Sequence, residues 1–392
     1  MYTQIGILMI ILYFITDFFP KNTNIYYKKF LLFLLIFLFW WVGGLAYKLG
    51  VDNYHYESFY YLQENKTYEY FELGYKALSK IFYNLNLNFY IFKGILYFLL
   101  IVLVYKGIAK FFQNKRDIML VFLLLFSYGL FYFFYISFIR QAIVISIFIY
   151  SLQYIMYKKK IKFFILITIS YLFHKTAIIL YLLYYLFNNK KIISLLNKNI
   201  ILISVFLSKI VLMKSDFSEK LQFFISKISI FIPRLEYYLE YNYGDIINIY
   251  DILIVIFILM NKFFKIKYEK KELYLIKYFV IVYCMYTFFN NFSFIARFKL
   301  YIDFFLITNI VILINKCVLI NRYNKIFKYI FIILFFMKFN VAVQHSLFSR
   351  ALFPYQNYTY KLFKEIKFKD TQQFLIINKY RFPKIEEITK SK

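Results

Sequence analysis

Cysteine, histidine and proline are scarce in this chain, which has two, three and four of them. Cys284 and Cys317 sit in or beside apolar stretches, so neither a disulfide framework nor a thiolate metal site is expected. His55, His174 and His345 are far apart in sequence, which argues against a histidine metal cluster. The nine glycines form no Gly-rich phosphate loop, and no tandem repeat or low-complexity linker is visible. Acids are also few, 20 against 49 Lys and Arg, for a formal net charge of +29. That charge does not indicate nucleic acid. The lysines cluster in short segments between apolar runs, "KNTNIYYKK", "KGIAKFFQNKR", "KKKIK" and "KFFKIKYEKK", where they report membrane topology.

What the chain has in excess is apolar surface, 62% hydrophobic and 25% aromatic residues, in runs that are apolar all round. A soluble domain alternates polar with apolar because one face is wet, whereas a lipid-facing bundle does not. The pattern predicts an all-α polytopic membrane protein. Spans read at 3–19, 30–47, 89–112, 118–136, 137–157, 199–213, 249–264, 273–292, 298–315 and 326–343. The first lacks the basic start and cleavage site of a signal peptide and is read as a retained span. The stretch 161–187 amounts to about 40 Å of helix, long for one crossing and short for two. Breaking it near His174 returns nearly every lysine cluster to the cytoplasmic side, giving about twelve transmembrane helices, 11 to 13. Residues 1–392 then form a single integral membrane domain, with sizeable external loops at 48–88 and 214–248 and a C-terminal tail at 344–392 whose outside placement runs against the charge rule.

Arg140, with Gln141 beside it, lies between two apolar runs in "ISFIRQAIVISIF". It either snorkels to the interface or holds an anion, and a guanidinium suits a phosphate because its planar fork can grip two oxygens. Arg297, in "NNFSFIARFKLYIDFF", stands at a second outer edge, either as a headgroup anchor or as a second cation for the same anion. His174 either satisfies a carbonyl at the helix break or acts as a base. Asp52, Tyr56 and Glu57 in "VDNYHYE", and Glu236 with Glu240 in "IPRLEYYLEYNYGD", are either solvated loop residues or contacts for sugar hydroxyls and rings.

"FIRQAIVISIFIYSLQYI" followed after a basic turn by "FFILITISYLFHKTAIIL" resembles the Arg-Gln, then His-x-(Ser/Thr)-Ala signature of the EpsG family of Wzy-type bacterial polysaccharide polymerases. "GVDNYHYESFYY", "FELGYKALSKIF", "FIARFKLYIDFF" and "FPYQNYTYKLF" resemble further elements of that family in the same order. Thr176 is a departure, since Ser is commoner before Ala177, but the hydroxyl is kept.

The resemblance implies an enzyme of the bacterial cytoplasmic (inner) membrane. It would join glycan repeat units carried on undecaprenyl pyrophosphate into exopolysaccharide, capsule or O-antigen, on the outer face. Arg140 and Arg297, with Arg234, would stabilise the leaving pyrophosphate, and His174, or else Glu236 or Glu240, would be the base. Gln141, Asp52, Tyr56, Glu57, Arg234, Tyr301 and Tyr355 would contact substrate. No cofactor and no metal are implied, and direct attack would invert the anomeric centre. Partners are lipid-linked glycans and membrane lipids, with room for a chain-length-regulating co-polymerase and none for nucleic acid. The alternatives are an O-antigen ligase-like glycosyltransferase, a metal-dependent enzyme using Asp52 or Asp17, and a lipid-linked oligosaccharide transporter, for which inverted repeats are missing.

Overall fold

The computed structural model describes residues 2–18, 25–49, 52–62, 71–128, 135–189, 268–289, 295–320, 328–334 and 336–337. The spans expected at 199–213 and 249–264, the loop at 214–248 and the tail at 344–392 lie outside these residues. Every regular element described is helical: α1 (Tyr2–Phe18), α2 (Ile25–Gly44), α3 (Asn53–Leu62), α4 (Leu73–Asn84), α5 (Phe89–Phe111), α6 (Lys115–Ser127), α7 (Ile139–Met156), α8 (Lys160–Phe173), a short 3₁₀ turn (Lys175–Ile178), α9 (Ile179–Asn188), α10 (Lys270–Phe289) and α11 (Ile295–Ile320). Among the described residues, Ile25–Gly44, Phe89–Phe111, Ile139–Met156 and Phe298–Lys316 are long and apolar enough to cross a membrane, as a multi-pass protein requires.

The helix ends are set locally. The Asn88 side chain accepts from the Ile91 N–H at 2.9 Å to open α5, and Asn114 accepts from Arg116 at 3.1 Å to open α6. The α4 to α5 and α7 to α8 connections both close by left-handed residues, Asn86 (φ 56°) and Lys158 (φ 55°). In each, a six-to-one bond (Leu87 N–H to Phe82 O, 3.3 Å; Lys159 N–H to Tyr154 O, 2.7 Å) sits over a five-to-two bond from the left-handed residue itself. Asparagine tolerates this conformation. Lysine tolerates it less well, but Lys158 is exposed and follows directly on the negative, C-terminal end of α7.

The chain divides into two compact units, one of residues 1–152, 164–177 and 329–392, the other of 153–163 and 178–328. In the first, α6 packs against α1, α2 and α5, and every residue from Ile118 to Ser127 is buried. The expected span at 118–136 is therefore shorter than its apolar run, because Tyr128 leaves helical geometry (ψ 79°) and caps α6. Phe39 of α2 meets Phe122 of α6 edge to face at 5.4 Å, and the Trp40 indole donates to Gly94 O of α5 at 2.8 Å. Gly107 lets α5 approach α7 closely: a Cβ there would lie 2.7 Å from Ile149 O. Asp17 of α1 accepts from Arg116 at 2.7 Å and from the Tyr329 hydroxyl at 2.6 Å, so its carboxylate ties helix ends together. In the second unit, α10 packs along α11 and α9 against α10, with Phe187 stacked on Tyr278 at 4.1 Å and Glu272 paired with Lys316 at 2.8 Å.

The stretch 161–187 is broken at His174 as the charge pattern required, into α8, the 3₁₀ turn and α9. The 48–88 segment is more structured than a loop, since α3 and α4 occupy much of it.

Candidate functional site

The first unit holds a cluster built on rings. Tyr56 and Phe59 lie on α3, Tyr75 on α4, and Phe71 just before α4. Their centroids are 4.7 Å (Phe59 to Phe71), 5.3 Å (Tyr56 to Tyr75) and 5.4 Å (Phe71 to Tyr75) apart. The three-residue and four-residue spacings of Tyr56, Phe59 and Tyr60 put them on one face of α3, so burying that face fixes α3 against α4.

Arg140, the second residue of α7, inserts its guanidinium into this cluster. It lies 4.6 Å from the Phe71 ring and 5.8 Å from that of Tyr56, a cation held over aromatic faces. Its Nε–H donates to the Tyr56 hydroxyl oxygen at 3.4 Å, and Nη1 forms an ion pair with Glu72 Oε2. The side chains of Arg140 and Glu72 retain 13% and 10% of their exposure, so the pair is screened but reachable. Burial pushes the Tyr56 phenol above its ordinary value, with the Arg140 charge pulling the other way; it remains a neutral hydroxyl.

Glu72 is the N-cap residue of α4, yet its side chain makes no bond to that helix. Its carbonyl opens the helix by accepting from Tyr75 and Lys76 at 3.1 Å, which leaves the carboxylate to reach elsewhere. Oε2 meets Arg140 and Oε1 accepts from the Lys175 N–H at 3.4 Å. Gly74 allows this reach. A Cβ at that position would lie 2.8 Å from Leu172 O, so only glycine lets the start of α4 sit against the end of α8.

His174 is buried at that end of α8. Its Nδ1 accepts from the Thr176 N–H at 3.2 Å and bonds the Thr176 hydroxyl at 2.8 Å. Because a backbone N–H can only donate, Nδ1 is the acceptor and the neutral ring carries its proton on Nε2. The ring is thereby set up as a donor, and the nitrogen that could take a proton is occupied. Thr176 supplies the hydroxyl that the sequence retained.

A second polar cluster lies on the next residue of α3. The Tyr90 hydroxyl donates to Glu57 Oε2 at 2.7 Å, and Lys93 of α5 donates to Asn53 Oδ1 and Ala46 O, both at 3.1 Å. Glu57, Asn53 and Lys93 are all buried. Glu57, expected as a substrate contact on a solvated loop, is thus a buried hydrogen-bond partner. Its helical face turns it inward.

Of the other expected site residues, Gln141 is buried beside Arg140 in α7 and Asp52 is half-buried just before α3, close enough to Tyr56 to act on its phenol. Tyr301 is buried in α11 of the second unit. Arg297 is in the first turn of α11, its side chain outside the described residues, as are Arg234, Glu236, Glu240 and Tyr355. The sequence reading missed Glu72, Phe71 and Lys93. Lys93 carried a usable signal, an ionisable residue inside an apolar span.

A cation over aromatic faces, beside a helix break, thus sits in a multi-pass helical membrane protein. The model of the EpsG family matches residues 29–357, and the chain belongs to that family, which is linked to exopolysaccharide biosynthesis. Comparison with curated proteins and with solved structures returns no match.

Proposed function

We propose that this protein is a polysaccharide polymerase. It joins oligosaccharide repeat units carried on undecaprenyl pyrophosphate by glycosyl transfer at the outer face of the bacterial cytoplasmic membrane. The observation that carries the reading is Arg140, a permanent cation at the end of a span, flanked by rings and by the turn at His174.

In this reading the donor is the growing glycan on its lipid diphosphate and the acceptor is the non-reducing end of one lipid-linked unit. The acceptor oxygen attacks the anomeric carbon as the bond to the diphosphate oxygen breaks, and the electron pair leaves with the diphosphate. Negative charge grows on that leaving group, so a preorganised guanidinium binds the transition state more tightly than the ground state. His174, with its proton on Nε2, donates to a phosphate or sugar oxygen. Phe71 and Tyr56, both buried, hold the guanidinium in place beneath the substrate. Because the guanidinium charge is permanent, turnover survives a chelator, and attack in one step inverts the anomeric configuration.

The test is the size distribution of lipid-linked and surface glycan in a deletion strain of the producing bacterium, complemented with wild type or Arg140→Ala. Single repeat units accumulate and long polymer disappears in the deletion, and Arg140→Ala does not restore it. Long polymer remaining on its carrier, untransferred, would mean a ligase instead.

A further inference from the structure

We propose that Glu72 occupies the anion site of Arg140 in the resting protein and, displaced by the diphosphate, accepts the proton of the attacking hydroxyl. This rests on the polymerase reading above and assigns the base that it requires.

The first argument is geometric. The two oxygens of Glu72 are bound by the Arg140 guanidinium and by the Lys175 N–H, a cation and a backbone donor of the kind that holds two phosphate oxygens. The carboxylate therefore competes with a diphosphate for the same donors. The second argument concerns position. Asp, Asn, Ser or Thr at an N-cap bonds the first turn of its own helix, whereas the longer Glu72 side chain makes no such bond. It reaches instead to a residue 68 positions away, which places it for the site. The third is elimination within the cluster. Nδ1 of His174 is taken by Thr176, Glu57 is bonded by Tyr90, and the Tyr56 phenol is held neutral. Glu72 is in direct contact with Arg140, and it retains some exposure.

The step balances. A bond forms between the acceptor oxygen and the anomeric carbon, the carbon–oxygen bond to the diphosphate breaks, the electron pair leaves on the diphosphate held by Arg140, and the proton passes to the Glu72 carboxylate and on to water.

The experiment uses full-length protein in lipid nanodiscs, with undecaprenyl diphosphate as the binding probe and the native lipid-linked repeat unit, recovered from the deletion strain, as substrate. Wild type is measured first; if it does not bind undecaprenyl diphosphate, the polymerase reading fails before any Glu72 variant is made. Glu72→Gln is expected to bind the probe about two- to fivefold more tightly, since a competing partly screened charge is gone. Its turnover should fall about 10²- to 10³-fold, with the acidic limb of the pH profile lost. Glu72→Asp, which keeps the charge, should recover part of the turnover and that limb. Wild-type turnover in Glu72→Gln overturns the proposal. So does loss of probe binding in Glu72→Gln alongside full binding in Glu72→Asp, because the carboxylate would then only hold Arg140 in place.

Discussion

Tyr56 and Glu57 are neighbours on α3, and each belongs to a cluster containing a cation, a carboxylate and a tyrosine. The two clusters differ in how they are closed. Lys93, Glu57, Asn53 and Tyr90 are buried, and the bonds among them and to Ala46 O come from α3, α5 and the segment between α2 and α3. Arg140 and Glu72 keep partial exposure, and apart from Tyr56 of α3 the polar groups come from helix ends and turns: the start of α7, the residue before α4, the turn after α8. The first arrangement is closed to solvent. The second stays reachable, as the proposed exchange of Glu72 for a diphosphate requires.

The comparison breaks most visibly at its cations. Lys93→Met leaves Asn53 Oδ1 and Ala46 O buried without their donor, and stability should fall by about 2–4 kcal/mol in thermal or denaturant unfolding of the detergent-solubilised protein. Arg140→Ala should abolish polymer at a smaller cost in unfolding, because the Glu72 carboxylate it leaves unpaired keeps some contact with water. Equal destabilisation by both cation variants would erase the distinction. A smaller effect is expected at Gly74. Gly74→Ala forces α4 away from Leu172 O, costing about 1–3 kcal/mol, and should lower turnover beyond what stability explains because Glu72 moves with the helix. Preserved turnover would show that the reach of Glu72 does not depend on that contact. The smallest is Thr176→Val, which removes one bond to His174 worth about 1 kcal/mol; Thr176→Ser should match wild type in both unfolding and polymer length.

The apolar runs made the helical, multi-pass character readable, and the excess length of 161–187 together with the lysine clusters located the break at His174. Arg140 stood out because a guanidinium beside hydrocarbon needs a partner. The identity of that partner was not readable. Glu72 sits in "FELGY" like any acid in a polar segment, and its meeting with Arg140 depends on Gly74 bringing α4 onto α8, a contact between segments about a hundred residues apart that no local pattern records. The burial of Glu57 was unreadable for the opposite reason. In "VDNYHYESFYY" every position looks equally wet, and only the helical twist of α3 turns that carboxylate inward. The end of α6 was overrun because the apolar run continues past it, although Gly129, directly after the cap residue Tyr128, is a usual stop signal.

With its thirteen residues, α6 reaches about 20 Å, well short of a hydrocarbon layer of about 30 Å. Being clothed by α1, α2 and α5 along its length, it never meets an acyl chain. Shorter or longer host lipids would therefore strain the outward-facing α2, with Phe30 and Phe33 exposed, and pass α6 by. Its tolerance to substitution should follow the rules of a soluble protein's interior rather than those of a bilayer.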